Sequence, residues 1–244
     1  MNDYQLQNGS VWRFPDRGSW ATHKGDYRGN WSPHIPKNLL LKYTNEGDTV
    51  LDQFLGSGTT LIECKLLNRN AIGIDINFNA LELSKKRTNF ITKHAPEIKL
   101  LHCDARKLSV IQNSCIDFIC THPPYADIIK YSDSIENDLS LLSVENFLIE
   151  LKHVANESHR VLRNDKFCAF MIGDIRKKGN IIPLGFRSMQ IFHDAGFVLK
   201  EIIIKEQFNC RQTKYWKSKI NSLNFYLLMH EYIFVFKKCN TITP

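Results

Sequence analysis

The sequence predicts an α/β fold: an open, mostly parallel sheet with helices on both faces. Three observations lead there. From residue 49 onward, short apolar runs alternate with helical stripes, the order that builds parallel sheets. A glycine-bearing turn, Leu55-Gly56-Ser57-Gly58-Thr59-Thr60, joins the first of those runs to a helix. Three successive strands end in an acid: Asp52, Asp75 and Asp104. Open α/β sheets bind ligands at the carboxyl ends of their strands. The acids and the glycine turn together predict a nucleoside-like cofactor.

Composition narrows the class. The 244 residues suffice for one substantial core, and 43% hydrophobic with 23% charged content is ordinary for a globular domain. The formal net charge of +7 is a mild bias toward a polyanionic partner. No apolar run is long enough for a membrane span, and the first residues lack the charge-then-apolar order of a signal peptide, so a cytoplasmic location is expected. The seven cysteines are odd in number and include no Cys-x-x-Cys pair, so neither a disulfide framework nor a metal site is expected.

Residues 1–31 form an aromatic, basic arm. Trp12, Trp20 and Trp31 are interleaved with Arg13, Arg17, Lys24 and Arg28, and glycines and prolines break any periodicity. The arm either plugs the outside of the core with its aromatics or offers them to nucleic acid, and both can hold at once. Next, Pro36 suits a first helical turn, with Leu39, Leu40 and Tyr43 on one face and Gly47 as the stop.

The first strand runs over 49–54. The turn after it lets a backbone approach a ligand, and the helix beyond it starts with free amides. It is not a Walker phosphate loop, because the lysine-serine/threonine pair is absent. The second strand, 71–76, carries Asp75 about twenty residues after the glycine turn, where nucleotide-binding folds hold ribose hydroxyls. Asp75 could instead cap the following helix, a role also open to Asn77. The third strand, 98–103, leads to Asp104 and Ala105.

A short buried strand over 115–120 is stopped by Thr121-His122-Pro123-Pro124-Tyr125. Two prolines cannot continue a ladder, so they leave a rigid loop with a His and an aromatic ring at the rim. Residues 126–142 read as a polar loop beside this rim. A helical stripe at 144, 147, 148, 151, 154 and 155 follows, then a strand over 167–172, a basic turn with Arg176 and Lys177, a helix over 184–195 and a strand over 197–204. Residues 206–229 form a basic-aromatic insert whose Arg211, Lys214, Tyr215, Trp216 and Lys217 are candidate nucleic-acid contacts, as are Arg176 and Lys177.

With Asp-x-Phe-x-Gly-x-Gly-Thr-Thr at 52–60 and Pro-Pro-Tyr at 123–125, the chain resembles the S-adenosylmethionine-dependent DNA amino-methyltransferases, over roughly residues 32–238. His230 to Lys238 looks like that family's closing strand. The resemblance implies a Rossmann-like class I methyltransferase fold over 32–244, with seven strands and an antiparallel last one. It implies that Asp52, Phe54, Gly56 and Gly58 line the methionine side of S-adenosylmethionine, with Thr59 and Thr60 opening the adjacent helix. His34, Ile35 and Pro36 would close over that end. Asp75 would hold the ribose, and Asp104 with Ala105 would meet the adenine. The side chain of His122 and the carbonyl of Pro123 would accept hydrogens from the target amine, while Tyr125, after Pro124, would stack on a flipped base.

Two positions depart from the family: Gln53 replaces a usual proline, and His122 replaces a usual Asp, Asn or Ser. A neutral His accepts only through one ring nitrogen, so activity is expected to fall as pH drops through its pKa. Thr121 before it is similar to the cytosine-type Thr-Ser-Pro-Pro-Tyr, which favours cytosine N4 over adenine N6. The implied protein is a site-specific methyltransferase of double-stranded DNA, in a restriction-modification system or as an orphan enzyme. An RNA methyltransferase, or a silent nucleic-acid-binding subunit on the same fold, is the alternative. Little chain is left for sequence reading, so a homodimer or a companion specificity or restriction subunit is expected; a membrane is not.

Overall fold

The computed structural model describes residues 4–208 and 224–240. The chain order is β1 (Val11–Trp12), α1 (His34–Tyr43), β2 (Thr49–Asp52), α2 (Thr59–Leu66), β3 (Asn70–Asp75), α3 (Phe78–Thr88), β4 (Ile98–His102) and β5 (Ile116–Thr121). It continues with α4 (Val144–Val161), β6 (Leu162–Ile172), β7 (Ile175–Lys177), β8 (Asn180–Ile182), α5 (Leu184–Asp194), β9 (Phe197–Glu206) and β10 (His230–Lys238). Eight strands form one sheet in the order β1-β9-β10-β6-β5-β2-β3-β4, and β7-β8 is a separate hairpin. β10 runs antiparallel between β6 and β9, and the other pairings are parallel.

Seven of these strands are the ones expected. The eighth is β1, which the arm lays parallel to β9 through Val11 and Trp12. Two residues are too few to show a period of two, so this strand has no signature in the sequence. The predicted basic turn is likewise the hairpin β7-β8, turning at Lys178 and Gly179, both at positive φ.

Strand alternation builds a core on each face of the sheet. Leu51, Ile119 and Phe234 face one cluster, with α4 and α5 over it. Val50, Phe118 and Ile233 face the other, with α1, α2 and the arm. Each such fully buried side chain contributes roughly 1.5–3 kcal/mol relative to exposure. All six positions of the α4 stripe are buried, and the Ser143 hydroxyl caps that helix by accepting from the Asn146 amide. Trp12, Phe14 and Trp31 lie buried in the second cluster, so the arm is packed into the domain. No helix among the described residues is long and apolar enough to cross a membrane.

The winding locates the ligand crevice. The chain goes from β2 outward to β3 and β4, then returns to lay β5 on the other side of β2. The connections leaving β2 and β5 therefore diverge, and the gap at their carboxyl ends is the switch point where such sheets bind ligands. Asp52 ends β2, and Thr121 ends β5.

Candidate active site

A cavity opens at this switch point. Asp52, Phe54, Gly56, Thr59, Asp75, Asp104 and Ala105 wall one side, and His122 and Pro124 the other. The arm adds Tyr27, Asn30 and Trp31, and the segment after the pentad adds Tyr131 and Asp138.

On the first side, backbone amides hold Asp75 and share Asp52 with a hydroxyl, and a guanidinium holds Asp104. Asp75 accepts from the Gly56 amide at 2.8 Å and the Asn77 amide at 2.9 Å, so it locks the glycine turn to the end of β3. The cap of α3 is Asn77, which accepts from the Asn79 amide. An ionised carboxylate has about four acceptor positions, so Asp75 keeps unused ones. Burial raises its pKa. Asp52 is 2% exposed and accepts from the Thr121 hydroxyl at 2.8 Å and the Phe54 amide at 3.2 Å. Thr121 in turn accepts from the Gln53 amide, so β2 and β5 are tied at their ends. Burial pushes the Asp52 carboxyl up to about 6, with the hydroxyl and amide donors opposing. Both oxygens of Asp104 receive the Arg106 guanidinium, which also reaches Glu150.

Glycines let two loops cross the cavity. Gly56 has φ +50°, and a Cβ there would stand 3.2 Å from the Tyr27 ring. A Cβ on Gly29 would overlap the Tyr131 hydroxyl at 1.7 Å. The Tyr27 and Tyr131 rings stack with centroids 6.1 Å apart.

On the second side, side chains hold each other. His122 Nε2 lies 2.9 Å from the Tyr125 hydroxyl, which donates to Glu231 Oε1 at 2.7 Å. Glu231 Oε2 accepts from Lys205 at 2.8 Å. The Trp31 ring stacks on His122, centroids 5.3 Å apart. Tyr125 is not in the cavity wall; its ring lies against Gly173. Burial pushes the Tyr125 phenol up, and the Glu231 charge adds to this. Burial alone would raise Glu231, but Lys205 beside it holds the carboxyl below the usual range. Burial also depresses the His122 imidazole to about 4. The expected loss of activity through a His pKa in the ordinary range is thereby moved below it.

Several predicted residues lie elsewhere. His34, Ile35 and Pro36 do not wall the cavity: α1 starts at His34, so the segment turns inward. Ile35 is wholly buried in the core, and His34 meets the Tyr4 hydroxyl and stacks on Phe14. Tyr27, Asn30 and Trp31 stand where that closing segment was expected. Gly58, at φ +83°, begins α2 against Ser84, and Thr60 is buried below it. Arg176 donates to the carbonyls of Gly179 and Tyr226 and covers the Phe225 ring, and Lys177 pairs with Asp127. Arg211, Lys214, Tyr215, Trp216 and Lys217 fall outside the described residues. Glu231, Lys205 and Tyr27 are not singled out by the sequence, Trp31 only as one of the arm's aromatics and Tyr131 only by its place in a loop. The signal available for Glu231 was an acid inside an apolar closing strand.

Solved structures share this fold. An S-adenosylmethionine-dependent methyltransferase from Methanosarcina mazei superposes with a TM-score of 0.59 at 16% identity, over 82% of this chain and 97% of that one. TrmN from Thermus thermophilus gives 0.57 at 18%, over 86% and 50%. The fold is that of the class I methyltransferases. Within it, the model of the DNA methylase family with N6 and N4 members matches residues 2–86 and 116–243, and the chain belongs to that family. The type II methyltransferase M2.MboI of Moraxella bovis is 41% identical over 86 residues, 35% of this chain and 32% of that protein. M.HpaI of Haemophilus parainfluenzae is 40% identical over 85 residues, 32% and 25%. A tRNA (guanine(10)-N2)-dimethyltransferase of Methanothermobacter thermautotrophicus is 32% identical over 100 residues, 41% and 29%. The matched stretches span about a third or less of these relatives. The cofactor is S-adenosylmethionine. The cavity suits it, with a half-buried carboxylate of spare acceptor capacity on β3 and Gly56, which has no side chain, beside it.

Proposed function

We propose that the protein methylates the exocyclic amine of a base in DNA, cytosine N4 ahead of adenine N6. The carrying observation is that one cavity is lined by Asp52, Asp75 and Asp104 on one side and by His122 and Pro124 on the other. Donor and target would share one chamber. When bound, S-adenosylmethionine supplies an electrophilic methyl on its sulfonium.

In this reading Asp75 takes the ribose hydroxyls with the acceptor positions that the Gly56 and Asn77 amides leave. Asp52 faces the cationic methionine end with Phe54, Gly56 and Thr59. Asp104, oriented by Arg106, accepts from the adenine amine beside Ala105. An exocyclic amine is a poor nucleophile because its lone pair is drawn into the ring. Accepting its two hydrogens, at the His122 side chain and the Pro123 carbonyl, favours a pyramidal nitrogen and aims it at the donor. Tyr125, its hydroxyl pinned by Glu231, stands behind the cavity wall and braces His122. Thr121 supports the preference for cytosine by its similarity to the cytosine-type pentad. Residues 206–229, a second copy or a companion subunit would read the sequence, whether the enzyme serves restriction-modification or acts alone.

The second reading is transfer to tRNA, favoured by the likeness to the tRNA dimethyltransferase. Tritium transfer from S-adenosylmethionine to duplex DNA, to tRNA and to neither separates these. Label in duplex DNA is expected. Label in tRNA alone would favour the second reading, and cofactor binding without transfer would leave a silent subunit. Long-read sequencing of DNA from cells expressing the chain then reports the modified base.

A further inference from the structure

His122 sits where the family's side chains accept through an oxygen. An oxygen needs no tautomer; an imidazole does, because only its unprotonated nitrogen accepts. The hydrogens around His122 can be counted. Glu231 is paired with Lys205 at 2.8 Å and, as a carboxylate, has no hydrogen to give. The 2.7 Å contact between Tyr125 and Glu231 oxygens therefore uses the one hydroxyl hydrogen of Tyr125. The 2.9 Å contact between that hydroxyl and His122 Nε2 must then be bridged by a hydrogen on Nε2. A neutral imidazole carries one N–H, so the lone pair is on Nδ1. This nitrogen has no hydrogen-bond partner among the described residues, and His122 lies in the cavity wall.

We propose that Glu231 is the positioning residue which, through the Tyr125 hydroxyl, holds His122 as the Nε2–H tautomer, so that Nδ1 accepts a hydrogen of the target amine. The acceptor role rests on the amino-methyltransferase reading; the tautomer does not. Trp31 stacked on the other side restricts the ring to this plane. The residues come from the loop after β5, from β9 and β10, and from the arm, so the device exists only in the folded chain.

Nitrogen-15 NMR of histidine-labelled protein tests it, with the His122 signal assigned by its loss in His122→Ala. The wild type is expected to show Nε2 protonated and Nδ1 bare. In Glu231→Met the Tyr125 hydrogen has Nε2 as its remaining acceptor, and the signal moves to the Nδ1–H form. Glu231→Gln, whose side-chain oxygen still accepts from Tyr125, keeps the original form. Methyl transfer should fall roughly a hundredfold in kcat for Glu231→Met, with the KM for S-adenosylmethionine unchanged. An Nδ1–H wild type overturns the proposal, and that spectrum needs no variant of Glu231 to fold. A tautomer unmoved in both Glu231→Met and Tyr125→Phe also overturns it, as does full kcat in a variant whose tautomer has moved. Failure of transfer to DNA and tRNA alike in the wild type would sink the functional reading while the spectra still decide the tautomer.

Discussion

The two walls of the cavity are held by different means. On the β2–β3 wall, carboxylates accept mainly from backbone amides, Phe54 to Asp52 and both Asn77 and Gly56 to Asp75, with the Thr121 hydroxyl joining at Asp52. On the β5 wall, side chains bind side chains far apart in sequence, and Tyr125 reaches Glu231 over 106 positions. Backbone amides are supplied by any sequence that keeps the turn, so the first wall is robust. The second depends on particular side chains on different elements, so a single substitution can retune it. We read the first as the wall for the cofactor and the second as the adjustable wall for the target.

That division can be broken in four ways. The largest effect is expected from His122→Ala, which should lower kcat roughly a hundredfold or more and leave the dissociation constant for S-adenosylmethionine unchanged by calorimetry. Weakened cofactor binding in that variant would mean that the walls are not separate. Asp75→Ala should do the reverse. Losing hydrogen bonds to a charged group costs about 1.5–3 kcal/mol, or roughly ten- to a hundredfold in cofactor affinity, with kcat at saturation largely kept.

The third prediction concerns Asp52, whose burial raises its carboxyl to about 6. The cationic methionine end favours the ionised form, so cofactor affinity should fall about tenfold for each pH unit below that value. Asp52→Asn should flatten the profile. The stability of the free chain moves the other way. A carboxyl whose folded pKa is raised contributes stability present below its unfolded value and lost as pH rises through about 6. Thermal melts of wild type should thus gain relative to Asp52→Asn between pH 7 and 5. The smallest effect is a flat line. With His122 depressed to about 4, its titration should not shape the rate between pH 5.5 and 8, and an acid limb in that range that disappears in His122→Ser would contradict the burial of this ring.

Trp31 and His34 show why legibility in the sequence was uneven. Trp31 ends the aperiodic arm and His34 opens the helix after it, and composition alone did not say which would reach the cavity. Trp31 stacks on His122, while His34 turns into α1 and anchors Tyr4 and Phe14. Arg176 and Lys177 looked free for phosphate, but Lys177 meets Asp127 fifty positions away. Local pattern reports which residues are available and cannot report what distant residues meet them.

By itself, the sequence determined the sheet, its strand order of acids, the glycine turn and the rigid pentad. Those follow from periods of two and 3.6 residues and from backbone restrictions at Gly and Pro, all local properties. Tertiary structure alone decided that the arm adds a strand and roofs the cavity, and that Glu231 and Lys205 stand behind Tyr125. It also decided that burial depresses the His122 imidazole. Burial and long-range pairing depend on how β5, β9 and β10 come together, and no window of sequence contains all three.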